Sequence, residues 1–134
     1  MGWNYYGLDR EAQQLVLAAK QRDDASLNQA FKMREAVAYG LERFWGEHLR
    51  LQGKNSEEER NKGIYWKETW DTLVKIMDNA KVKIPNDRLN SNDTESVQKM
   101  AEKLWTLEIE TQRIALAVLM QLCDCLVWWT QRYK

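Results

Sequence analysis

The stretch Ile114 to Trp129, IALAVLMQLCDCLVWW, decides the fold. It is interrupted only by Gln121 and Asp124. A membrane span needs about 20 apolar residues, and a carboxylate in mid-span costs several kcal/mol. The segment therefore reads as a helix buried in protein, with no membrane partner expected. Being apolar nearly all round, it is expected at the centre of a helical bundle. Upstream, Val97, Ala101, Leu104 and Trp105 extend the same spacing. Residues 94–133 are thus either one helix or two, with a break near Glu108–Thr111, and Asp93 or Thr94 is the capping residue.

Working outward, three more helical patterns precede this one. Leu8, Ala12, Leu15, Val16 and Ala19 recur at helical spacing, with Asp9 as cap and an end near Arg22–Asp24. Ser26 with Gln29 has the spacing of a capping box and opens a second helix running to about Gln52. Gly40 and Gly46 lie inside that helix, and each signals close helix contact or a local break. Gly53 suits a position just past its end. Ser56 with Glu59 is a second capping box, and Glu57–Glu59 favour the positive end of a helix dipole. Trp66, Trp70, Leu73, Met77 and Ala80 then form one stripe. Residues 81–93, KVKIPNDRLNSND, hold the only proline and break the periodicity, as functional or mobile loops do.

These patterns predict an all-α chain, a single domain over 1–134 forming a bundle of four to five helices with a long, largely buried C-terminal helix. The 134 residues suit one core, and six glycines and one proline leave little room for the turns of a sandwich or barrel. Twenty Lys+Arg balance twenty Asp+Glu. The balance also holds locally: eight basic against seven acidic over 1–56, seven against eight over 57–93, and five against five over 94–134. Charge is interleaved on helix faces, so a polycationic nucleic-acid arm is excluded, but not a local basic patch. No secretory signal is apparent, and the two cysteines, Cys123 and Cys125, point to different sides of a helix. They read as small apolar residues in a reducing cytoplasm.

The sequence carries no phosphate-cradling glycine loop, no dinucleotide fingerprint and no nucleophile elbow. One histidine, His48, cannot supply the paired Glu-x-x-His sets of a di-iron bundle or a His-rich metal site. No metal, cofactor or catalytic residue is therefore expected. Asp124 stands out as a carboxylate in an apolar run, and a buried carboxylate needs a partner such as Arg34 or Arg43. A carboxylate-dependent enzyme would have to work through carboxylates around Asp124 or Glu108.

Aromatic faces beside Lys and Arg can stack bases and hold phosphates, or anchor a protein partner. The residues that fit are Arg60, Lys62 and Lys67 around Trp66, then Lys75, Lys81, Lys83 and Arg88 in and before the loop. At the C-terminus they are Trp128, Trp129, Arg132 and Lys134. Trp45, Trp66, Trp70 and Trp105 fit core stripes, which leaves Trp3, Trp128 and Trp129 as partner contacts.

The segment Thr111-Gln112-Arg113-Ile114-Ala115-Leu116-Ala117-Val118-Leu119, followed by Trp128-Trp129 and Arg132, resembles the end of the small all-helical subunits of type III CRISPR effector complexes. In those chains an apolar Ala/Leu helix closes near a Trp and a basic residue. Length and helical character are similar, while the neutral charge departs from the more basic members. The resemblance implies a CRISPR-associated, antiviral-defense filament subunit without catalysis, stacking along a guide–target duplex and contacting RNA backbone through scattered Lys and Arg.

Two functions follow, both cytoplasmic: a structural subunit that binds other protein subunits, with or without RNA, or a stand-alone module that binds a protein partner or itself. The carboxylate enzyme is the third and least supported.

Overall fold

The computed structural model describes residues 7–89 and 92–134, and among them there is no strand. Six α-helices follow in order: α1 Leu8–Arg22, α2 Gln29–Ala36, α3 Leu41–Gln52, α4 Glu57–Asn79, α5 Thr94–Trp105 and α6 Ile109–Tyr133. Short 3-10 turns, Asp24–Ser26 and Val37–Tyr39, precede α2 and α3. The all-α expectation holds, with six helices rather than four to five.

The additional helices come from two breaks. The expected helix over 27–52 divides at Gly40, whose φ of 97° lies where only glycine is at ease. Gly46 marks neither a break nor a tight contact, since a Cβ there would meet only Glu42 Oε2 at 3.4 Å. The C-terminal pattern divides at residues 106–108, just before the expected position.

Capping follows the sequence in part. Asp93 accepts from Ser96 N at 3.2 Å and Ser56 from Glu59 N at 3.4 Å. Asp9 does not cap α1; Gly7 stands there, and Asp9 accepts from Trp129 Nε1 at 3.3 Å. The Ser26–Gln29 box does not form, because Gln29 is drawn into the core to accept from Trp66 Nε1. Gly53 caps α3 in a right-handed conformation. At the end of α4 it is Lys81 that takes the positive φ, 65°, as Val82 N bonds back to Met77 O at 2.8 Å.

Trp45, Trp66 and Trp70 lie in the core with Phe44, Leu73 and Met77. Phe44 of α3 meets Trp66 of α4 with ring centroids 4.8 Å apart. Gly63 allows that approach: a Cβ there would meet Gln52 Cγ at 2.6 Å and Gln52 N at 2.9 Å. α1 packs along α6, α2 against α6, and α5 against α3.

Two core expectations fail. Trp105 is 62% exposed, because α5 ends at that residue and turns it outward. α6 buries one stripe, Ala115, Val118, Leu119, Leu122, Cys123, Leu126 and Thr130, rather than its whole circumference. By length and composition α6 could also cross a membrane, and only 39% of its most apolar window is buried.

Candidate functional site

Most of the residues singled out by sequence fall into three places. At the start of α4, Arg60 turns its guanidinium onto the carbonyls of Lys54 and Asn55, at 3.2 and 2.6 Å. Lys62 pairs with Glu58 at 3.3 Å and lines a polar groove of about 470 Å³ with Lys32, Arg50, Lys54 and Glu59. The acidic side chains in and beside this groove offset its cations.

The second place is a cleft of about 400 Å³ between α3, α4 and the loop after α4. His48 and Gln52 come from α3, Lys67 and Asp71 from α4, and Asn86, Arg88 and Leu89 from the loop. The Lys67 ammonium pairs with Asp71 and donates to Asn86 Oδ1 at 3.0 Å. Asn86 Nδ2 donates to Asp71 Oδ1, also at 3.0 Å. The loop is therefore strapped down, helped by buried Ile84 and by Lys103–Asp87 at 2.6 Å. His48 donates Nδ1–H to the Trp45 carbonyl and packs edge-on to its indole. Burial holds His48 below its usual 6.5, opposed by that carbonyl. The sequence had offered His48 only as an isolated histidine; its convergence with Lys67 and Arg88 depends on the path of the loop.

The other loop cations remain apart. Lys75 pairs with Glu11 of α1 at 2.7 Å and Lys83 pairs with Asp78. Lys81 is exposed at the end of α4. Most of the expected phosphate contacts are thus engaged with carboxylates or carbonyls and do not form one patch.

The third place is α6. Asp124 takes the Nε–H of Arg34 at 2.6 Å, one of the two partners expected for it. Its carboxylate is 52% exposed, not buried, so the pair is a surface contact. Trp129 is half-buried, stacked on Tyr133 and bonded to Asp9. Trp128 is 55% exposed, with Arg132 over its ring at 5.6 Å. Lys134 lies over Phe31 at 5.7 Å. Trp3 lies outside the described residues. Cys123 is buried and Cys125 half-buried; both are free, and burial raises the Cys125 thiol to about 12.

Flanking its buried stripe, α6 carries half-buried Leu116, Met120 and Val127, which pack against the core, while Ile109, Ile114 and Trp128 stand exposed to solvent. Of the six large hydrophobic residues exposed among the described residues, four belong to this region: Trp105, Ile109, Ile114 and Trp128. Periodicity had not suggested this face, because an all-round apolar helix was read as a central one.

The chain matches no protein-family model, no curated protein and no solved structure.

Proposed function

We propose that the chain is a non-catalytic structural subunit that assembles through the outer face of α6, with a second copy of itself as the partner. One observation carries this: a 25-residue helix buries a single stripe yet leaves Ile109, Ile114 and Trp128 exposed to solvent along its length. A helix needing only to fill the core would carry polar residues there.

The charges on that face favour a second copy in antiparallel orientation. Glu110 and Arg113 stand near one end and Arg132 near the other. Parallel copies would set Glu110 against Glu110 and Arg132 against Arg132. Antiparallel copies bring Glu110 beside the other copy's Arg132, and Arg113 beside the other copy's Trp128, an arrangement suited to cation–π contact. Within its own chain Asp124 pairs with Arg34, and Glu110 pairs with Arg113 at 3.2 Å through an exposed contact that a second copy's Arg132 would join. The resemblance to type III CRISPR small subunits agrees with an assembly role. The dispersal of the basic residues favours a protein partner over RNA.

The test is the dimer dissociation constant of charge variants. Glu110→Arg and Arg132→Glu should each weaken the dimer, and the double variant should recover it. A monomeric wild-type chain that retains single-stranded RNA at low but not high salt would overturn this in favour of RNA contact. A monomer that floats with phospholipid vesicles would overturn it in favour of a membrane surface.

A further inference from the structure

We infer that the cleft between α3, α4 and the loop is a binding site for a small phosphorylated, hydroxyl-bearing molecule of the sugar-phosphate class. The inference is independent of the assembly reading, since no residue lining the cleft lies on α6.

His48 is the key group. The residue as a whole is 5% exposed. The Trp45 carbonyl can only accept, so Nδ1 carries the proton of that bond and Nε2 carries the lone pair. Nε2 has no protein partner among the described residues, and the ring lines the cleft. Nε2 is thus an acceptor open to the cleft, able to take an O–H or N–H donor from a bound molecule. Desolvation keeps the ring neutral near pH 7, so it stays an acceptor.

The cations supply the other half. The Arg88 guanidinium is exposed at the cleft and is in no ion pair among the described residues. Lys67 is fixed in place by Asp71 and Asn86 and so presents a positioned charge. Arg88 and Lys67 against Asp71 leave one net positive charge, which suits a single phosphate group. A ligand whose phosphate meets Arg88 and Lys67 while a hydroxyl donates to His48 Nε2 satisfies every one of these groups. The lining is polar apart from Leu89 and holds no exposed aromatic face for a base, which favours the sugar end of such a ligand.

Titration of the whole chain with ribose 5-phosphate, followed by the His48 imidazole nitrogen signals in NMR, tests this. Saturable binding with a shift at Nε2 is expected. Arg88→Ala, a change to an exposed side chain, should weaken binding about tenfold or more. Ribose, lacking the phosphate, and inorganic phosphate, lacking the sugar, should each bind more weakly. No saturation by roughly 10 mM ribose 5-phosphate, unchanged affinity in Arg88→Ala, or an unmoved Nε2 signal on binding would each overturn the site. Inorganic phosphate binding as tightly as ribose 5-phosphate would overturn the hydroxyl contact.

Discussion

The indole N–H of Trp66 donates to Oε1 of Gln29 at 2.8 Å, a buried hydrogen bond that ties α4 to α2. Trp45 and Trp70 are buried as well, but their Nε1 atoms have no partner. Trp66 therefore holds its place by direction as well as by packing. Gln29→Leu should strand its N–H and cost about 1–3 kcal/mol. Adding Trp66→Phe removes the stranded donor and should recover part of that loss. Urea unfolding of the three variants checks the cycle, and equal loss in the single and double variants would contradict the bond.

Trp70 and Trp105 should respond very differently to truncation. Trp70 is fully buried between Phe44 and the rest of the core, so Trp70→Ala should cost about 3–5 kcal/mol. Trp105 is exposed, and Trp105→Ala should change stability by no more than about 0.5 kcal/mol. Similar melting temperatures for the two variants would contradict the placement of α5.

Gly63→Ala sets helix propensity against packing. Alanine gains about 1 kcal/mol in a helix interior. Its Cβ would meet Gln52 N at 2.9 Å and His48 O at 3.0 Å, and these are backbone atoms that cannot step aside. Overpacking of this kind costs about 1–3 kcal/mol, so a lowered urea midpoint is expected. A raised midpoint would mean that α3 and α4 lie further apart.

The buried His48 gives stability a pH dependence. Its folded pKa lies below the usual 6.5, so between those two values the unfolded chain binds the additional proton. Its contribution is complete above about 6.5 and declines as pH falls toward the folded value. The melting temperature of wild type should therefore drop more between pH 7.5 and 5.5 than that of His48→Gln. Parallel curves would contradict a buried, neutral ring.

Much of the fold was legible because helical period and burial coincide in it. The spacing of Trp66, Trp70, Leu73 and Met77 placed α4 facing the core, and all four are buried. Gly40 was legible as a break or a contact, and its positive φ made it a break. What failed was whatever a distant residue decides. Gln29 looked like a cap until Trp66 claimed its amide oxygen. Trp105 continued an apolar series, but the helix stopped beneath it. Asp124 found Arg34, while its exposure depended on which face of α6 turned inward. Lys67 and Arg88 were visible as cations, but their convergence on His48 depends on the strap that Asn86 forms with Lys67 and Asp71. Gly63 carried one signal that could have been read: a glycine inside a helix costs about 1 kcal/mol unless something needs the space.

The outer face of α6 is tested most directly by sedimentation equilibrium of the wild-type chain and of Ile114→Lys across a range of micromolar concentrations. Ile114 is exposed on that face, and a charge there would be trapped in the contact between copies. Wild type should approach twice the 15.9 kDa of one chain as concentration rises, while Ile114→Lys stays folded and monomeric. A wild-type chain that remains at 15.9 kDa throughout, or an Ile114→Lys variant that dimerises as well as wild type, would contradict assembly through α6.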